Sequence, residues 1–378
     1  MTEVFAFEDL TWPEVQALPR HTPLVIPLGI GYNLETLAES LHNPARLGLL
    51  PAFPFGWHGS RLSVPAPVIT TYLGNLLDSL RDDGFTQVYI LAPQDSGVSL
   101  GASCIVQPVA QQPPLFSESD REKVLLIPIG HTEQHGFHLP LSTDTLIIEA
   151  VSQGAAAEVP DQALSLPVMP YGVSTHRQSF AGTLNAGGRA FEDFWLAVVD
   201  CLVAQGFTRF YLLSGHGGNS SFLVNVVKYA GERHRHIFCA TAWLYLSGPD
   251  GVASLEKYRR SGLGGMGHAC ELETSFILHL RPHLVHMDRV VDETNFVTTP
   301  SYYMDWVEGG ALIANPPWDD DTATGAYGAG SLATAEHGKI WLEAAIAEKV
   351  AHIAEIHDQY HRRMARRQQG FGLWGKMR

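Results

Sequence analysis

"IPIGHTEQHGFHLPLSTDT", residues 127–145, sets three histidines, a glutamate and an aspartate directly behind an apolar run. That run, "VLLIPIG" (residues 124–130), is short, branched and closed by glycine, the pattern of a strand buried on both faces of a parallel sheet. "PLVIPLG" (23–29) repeats it at an offset of 101 residues. "LPAFPFG" (50–56) pairs with "LPVMPYG" (166–172) at an offset of 116, and "GFTQVYILAP" (84–93) with "GFTRFYLLSG" (206–215) at 122. The anchors come in the same order, and the offsets grow as loop insertions would make them grow. The chain reads as a partly duplicated unit.

Between the second and third anchors lie "PVITTYLGNLLDSLRDDG" (67–84) and "RAFEDFWLAVVDCLVAQG" (189–206). Apolar residues three and four apart and a terminal glycine make each a helix with a defined stop. Strand, helix, strand in repetition predicts an α/β fold, three layers α/β/α around a mainly parallel sheet. In such sheets ligands gather at the carboxyl ends of strands, where the polar residues of 131–145 begin. Residues 98–122, with "QPVAQQPPLFSESDREK", are rich in Pro, Gln and Ser and read as a linker. The expected division is 1–120, a shorter first half, and 121–378, a full domain.

Composition bounds the function. With 45% hydrophobic and 17% charged residues, the 378-residue chain has ample core material. A net charge of −14 argues against a nucleic-acid partner, which needs clustered Lys and Arg. The basic tail, residues 361–378, reads as solvated or subunit-contacting. No apolar run approaches a membrane span and no signal sequence opens the chain. The four cysteines, Cys104, Cys201, Cys239 and Cys270, show no CxxC pairing, so free thiols and a cytoplasmic location are expected.

Chemistry-bearing residues cluster behind three strands or turns. Glu133, His135 and Asp144 follow the first strand of the second copy, His216 lies in "SGHGGN" (214–219), and "GHACELETS" (267–275) offers His268, Glu271 and Glu273. Imidazole and carboxylate without thiolate suit hard or borderline divalent metals. Two divalent ions balance Glu133, Asp144, Glu273 and one bridging hydroxide, as a buried cluster requires, whereas a single ion would be over-neutralised. Thr143 is placed to cap the helix that carries Asp144. Each residue alone has a structural reading: a histidine at a strand end is commonly a hydrogen-bonded support, and Asp144 could simply favour a helix start. Comparison of the copies decides otherwise. Glu133, His135, Asp144 and His216 align with Tyr32, Leu34, Asn43 and Gln94, so the first half keeps the scaffold and has none of the ligands.

"PIGHTEQHGFHLPLSTD", "GVSTHRQSFAGTL" (172–184), "SGHGGN" and "HACELETS" together resemble the creatininase (creatinine amidohydrolase) family, and "LTWPEV" (10–15) is similar to that family's usual opening. The resemblance implies a dinuclear Zn or Mn site. One ion would be held by Glu133 and His216, the other by His135 and a second carboxylate, with Asp144 bridging. Gly218 stands where creatininase itself has its second carboxylate, so Glu273 is expected to supply it, with Glu271 as the alternative. His268 would serve as proton shuttle, and His176, the other catalytic candidate, would sit nearby and position either the substrate or the groups behind the ligands. Trp243, Trp306 and Tyr302, with Tyr245 and Tyr303, are candidate pocket walls, and "MDWVEGG" (304–310) a candidate lid.

Ala181 and His131 depart from the family pattern, and the altered turn argues against creatinine as substrate. The expected activity is hydrolysis of a C–N bond in a small, linear or cyclic amide through a hydroxide bridging the metals. Two alternatives remain: opening of a carbocyclic or lactone-type ring or peptide trimming with the same site, and a metal-stabilised scaffold without catalysis. The resemblance also implies a homo-oligomer acting on a small-molecule substrate.

Overall fold

A computed structural model describes residues 2–108, 115–175, 179–306 and 309–370. Two parallel sheets form its centre. The first holds β1 (Glu3–Ala6), β2 (Leu24–Pro27), β3 (Arg46–Leu49), β4 (Val88–Pro93) and β5 (Cys104–Gln107) in the order β1-β3-β2-β4-β5. The second holds β6 (Val124–Ile129), β7 (Ala163–Ser165), β8 (Arg209–Ser214) and β9 (Phe238–Ala242) in the order β7-β6-β8-β9. A short antiparallel pair, β10 (Met266–His268) and β11 (Tyr327–Gly328), stands apart. The helices are α1 (Trp12–Ala17), α2 (Leu34–Ser40), α3 (Ala66–Asp82), α4 (Thr143–Glu158), α5 (Gly188–Ala204), α6 (Ser220–Arg233), α7 (Pro249–Tyr258), α8 (Glu271–Leu280) and α9 (Ala335–Gln368). The protein is α/β, as the sequence pattern predicts.

The order β3-β2-β4-β5 recurs as β7-β6-β8-β9. The same detail closes both lead strands: Phe53 N–H donates to Pro27 O at 2.8 Å, and Met169 N–H to Pro128 O at 3.0 Å. Both helices before the third anchors stop alike. Gly84 and Gly206 take φ of +92° and +96°, and the next residue reaches back to Leu80 O and Leu202 O. Only glycine enters that left-handed turn without strain.

Alternation along the strands sets the layers. Leu24 and Ile26 of β2 and Leu125 and Ile127 of β6 point into one core shared with α3, α5 and α6. Val25 faces outward toward Leu37 of α2, and Val124 and Leu126 face α4, α8 and α9. Two three-layer units thus share their middle helical layer.

The shared seam pairs its residues reciprocally. Tyr72 and Phe194, equivalent positions of α3 and α5, touch at 5.0 Å. Phe55 stacks on Phe194 at 6.4 Å, and its counterpart Tyr171 accepts, through its carbonyl, the Tyr72 hydroxyl at 2.8 Å. Beyond the helix ends, Asp83 accepts from Gly182 N–H at 2.7 Å, while the equivalent Gln205 donates to Arg61 O at 3.3 Å. Such exchange symmetry is the signature of an isologous contact.

In the fold, the structure departs from the sequence reading at one point. Residues 104–107, assigned to a linker, form the edge strand β5 beside β4. Four residues next to a Pro- and Gln-rich run carry too little periodicity to be seen. The basic tail continues α9 to Gln368, and residues 371–378 lie outside the described part. The four cysteines are free, and Cys270 is the buried one. Among the described residues no helix is long and apolar enough to cross a membrane.

Candidate metal centre

The loop from β6 to α4 carries Glu133, His135 and Asp144, all buried. Asp144 sits in the first turn of α4, where the helix dipole favours a carboxylate. Thr143 does not cap this helix. It is already the first helical residue, and its hydroxyl donates to Pro140 O at 2.8 Å. His216 follows β8, and a close approach fixes it: a Cβ on Gly215 would lie 2.5 Å from the Asp144 carbonyl oxygen. Asn219, at the end of the same turn, accepts from Val173 N–H at 2.9 Å and donates to Gly130 O at 3.2 Å, joining three strand ends.

The two oxygens of Asp144 address different histidines. Oδ1 lies 3.1 Å from His135 Nε2, and Oδ2 lies 3.1 Å from His216 Nδ1. Glu133 Oε1 is 2.8 Å from His216 Nδ1, and Glu273 Oε1 is 4.0 Å from His135 Nε2. The second nitrogen of each imidazole is occupied by a backbone carbonyl: His135 Nδ1 by Glu133 O at 3.1 Å, His216 Nε2 by Val173 O at 3.0 Å. Those N–H bonds reserve the other nitrogen of each ring, the one that faces the carboxylates, for a metal, the arrangement metal ligands require. His268 follows the same rule. Its Nε2 donates to Gln134 O at 2.7 Å, and its Nδ1 faces Glu133 Oε1 at 3.9 Å.

Charge agrees with the donor geometry. Burial alone would lower the His216 pKa, but the charges of Glu133 and Asp144 outweigh it and raise it to about 9. His135 rises against its own burial because Asp144, Glu273 and Glu133 surround it. Burial works against ionised Asp144 too, yet His135 and His216 hold its carboxyl below the usual range. The surrounding charges therefore favour a proton on His135 and on His216, a proton that a divalent ion would displace. His138, buried next to His135, is pushed down to about 4 and stays neutral.

Glu133, His135, Asp144, His216, His268 and Glu273 all converge here. Three overlapping donor groups, His131–Glu133–His216, Glu133–His135–His268 and His135–Asp144–Glu273, each keep their ligand atoms within 4.8 Å. Glu271 does not join them. It accepts from Arg260 N–H at 3.0 Å and Ser261 N–H at 2.8 Å, two residues earlier on α8 and turned away. His131, read only as a departure from a family pattern, also belongs to the cluster. Gly172 N–H donates to its Nδ1 at 2.9 Å, so Nε2 carries the ring proton and faces Glu133 Oε2 at 4.0 Å as a donor.

A cleft of about 60 Å³ opens onto the cluster, lined by Asp144, His216, His268, Glu273, Trp243 and Trp306 among others. Trp243 is 51% exposed at its edge. Trp306 stacks on Tyr245 at 5.2 Å, and its buried indole N–H finds no acceptor among the described residues. Tyr245 is a support beneath the cleft, its hydroxyl donating to Gly215 O at 2.5 Å. Tyr302 is not part of this cleft: it pairs with Thr299 in a tight turn, and Tyr303 lines a neighbouring hollow. Of the lid stretch 304–310, residues 307 and 308 lie outside the described part, as does His176.

The family profile "Creatininase: Creatinine amidohydrolase" matches residues 112–353. The creatinine amidohydrolase of Pseudomonas putida is 31% identical over 192 residues, 47% of this chain and 72% of that protein. The mycofactocin precursor peptide peptidase of Mycobacterium ulcerans is 33% identical over 176 residues, 44% of this chain and 62% of that protein. A solved Mn form of creatininase superposes with a TM-score of 0.52 at 27% identity, covering 63% of this chain and 93% of that one. With a profile match over more than half its length and that likeness of fold, the chain belongs to the creatininase family.

Proposed function

We propose that this protein is a dinuclear, Zn- or Mn-dependent amidohydrolase that cleaves a C–N bond of a small amide, cyclic amides included. The observation that carries the reading is Asp144, whose two oxygens serve two separate donor sets, Glu133 with His216 and His135 with Glu273. A carboxylate so placed could contribute one oxygen to each of two ions, were both donor sets filled. Bound there, the ions lower the pKa of water toward neutrality and polarise a carbonyl oxygen.

The chain's own groups do the rest. Gln134 O holds the His268 ring with Nδ1 toward the cluster, where it takes up a proton and returns it to the departing nitrogen. Trp243 and Trp306 wall the cleft, and the Trp306 indole N–H is available to a substrate oxygen. The exposed apolar residues Val297, Leu312 and Ile313 support a homo-oligomer.

A peptide substrate is the second reading. The 33% identity to a precursor peptide peptidase favours it, as does a cleft open to solvent. Elemental analysis of purified wild type beside Asp144→Ala tests the centre. About two equivalents of Zn or Mn per chain, lost in the variant, are expected. Less than about half an equivalent after incubation with both metals would sink the hydrolase reading. Lactams, formamides and short peptides, offered to the loaded enzyme, then separate the two substrate classes.

A further inference from the structure

The metal-binding loop is braced from the half of the chain that has no ligands. Residues 7–15 leave the first sheet and dock on the second unit: Leu141 N–H donates to Leu10 O at 2.9 Å and Ser142 N–H to Glu8 O at 3.0 Å. Both donors lie on the loop between Glu133 and Asp144. A capping box between Thr11 and Glu14 fixes the start of α1, and Glu14 also reaches Arg289 at 3.0 Å. That leaves Trp12 in one orientation at the junction of three loops.

Its ring meets Phe137 of the metal loop at 5.4 Å and Phe180 at 5.3 Å. Its indole N–H donates to Thr324 O at 2.8 Å. The adjoining Gly325 O accepts from Gln134 Nε2 at 2.9 Å, and Gln134 O is the acceptor that orients His268. Phe180 belongs with Trp318 and Tyr327 to a small buried cluster, and Trp318 lies 4.8 Å from the His268 ring. One side chain thus contacts three of the loops around the centre, those of Phe137, Phe180 and Thr324.

We propose that Trp12 is a positioning residue for the metal centre, so that the ligand-free half is an obligate part of the active unit. The inference rests on the metal-site reading given above. It predicts that loosening Trp12 frees the 131–145 loop without removing a ligand.

The test compares the full-length chain carrying Trp12→Ala, Trp12→Phe and, as control, Leu47→Ala. Leu47 is buried in a cluster on the outer face of the first sheet, remote from these loops. Trp12→Ala is expected to weaken Mn binding about tenfold or more and to shift the visible spectrum of the Co(II)-loaded protein. Trp12→Phe keeps the ring contacts and should recover affinity to within roughly threefold. Leu47→Ala should lower the melting temperature and leave spectrum and affinity unchanged.

Hydrogen exchange on the metal-free proteins supplies a readout that needs no metal. Amides of 131–145 and 180–184 should exchange about tenfold faster in Trp12→Ala than in Leu47→Ala. Wild-type affinity, spectrum and protection in Trp12→Ala would overturn the proposal. Should the wild type bind no metal, the metal-site reading fails and exchange alone decides: faster exchange sustains the bracing role, unchanged exchange removes it. If Trp12→Ala does not fold, Trp12→Leu takes its place under the same outcomes.

Discussion

Glu273 and Glu271 lie two residues apart on α8, and the proposed metal centre gives them opposite tasks, so their neutral isosteres should separate metal binding from stability. Glu273 Oε1 stands 4.0 Å from His135 Nε2 and within 4.8 Å of the Asp144 ligand oxygen. At an effective dielectric of about 20, those distances give an attraction of about 4 kcal/mol and a repulsion of at least about 3.5 kcal/mol. The two nearly cancel. Glu273→Gln should therefore leave the metal-free protein within about 1 kcal/mol of wild type. Metal binding has no such compensation. Losing a partner outside the ligand shell costs 10- to 100-fold in other sites, so losing an anionic ligand should cost about 100-fold or more.

Glu271→Gln should do the reverse. Glu271 accepts backbone N–H groups of Arg260 and Ser261, and replacing its charge should cost about 2 kcal/mol of stability with metal affinity intact. Calorimetric melting of metal-free protein and titration with Mn give the two numbers for each variant. A Glu271→Gln that loses metal while Glu273→Gln retains it would refute the assignment. Equal loss in both would show that α8 as a whole, and not one carboxylate, sets the site.

Three further outcomes follow from the same geometry. Gly215→Ala places a Cβ 2.5 Å from Asp144 O and 2.9 Å from Ile148 Cβ, so thermal melts should show a loss of about 1–3 kcal/mol together with weakened metal uptake. His268→Ala should keep its metals by elemental analysis and lose about 10²- to 10⁴-fold in kcat on any amide the wild type hydrolyses. Glu348 pairs with buried Lys349 at 2.7 Å and accepts Gly248 N–H at 2.7 Å, and Glu348→Gln should cost about 3 kcal/mol at neutral pH. Burial would raise the Glu348 pKa, but Lys349 and the backbone N–H groups hold it below 4.5. Its contribution is therefore full above that value and lost as pH falls through the lower folded value. Melting temperatures of wild type and Glu348→Gln should converge in acid.

How much of this could be read beforehand depends on the kind of information each feature needs. The strand anchors were legible because a buried parallel strand is a local pattern, an apolar run with a glycine stop. Glu133, His135, Asp144 and His216 were legible as one group because each follows such a stop, and strand ends of one sheet lie side by side. Asn219 stands in the same turn as His216 but carries no signal of its own, since an amide that joins neighbouring strand ends looks like any loop asparagine. Tyr302 and Trp306 were indistinguishable in sequence, four residues apart in one irregular stretch. Only the bond from Trp306 N–H to Met266 O, at 2.8 Å, turns one of them toward the cleft wall. β5 was hidden by its brevity. The seam between the halves was hidden for a deeper reason: periodicity shows that a helix has an apolar face, not what covers it.

That seam bears on why a half without ligands keeps its scaffold. Phe191, Phe194, Trp195 and Leu202 of α5 are fully buried, against partners that include Phe53, Phe55 and Tyr72 from the first half. At about 1.5–3 kcal/mol for each large apolar side chain removed from water, these four alone are worth on the order of 10 kcal/mol. Whole domains are stable by about 5–15 kcal/mol. Part of that burial is supplied by the first half, and a second unit stripped of its cover would lose that part. None of that burial needs a metal ligand. Tyr32, Leu34, Asn43 and Gln94 can stand where Glu133, His135, Asp144 and His216 stand in the other copy, because those positions lie at the strand ends, away from the apolar seam. Cover and candidate chemistry thus occupy different faces of the same kind of scaffold.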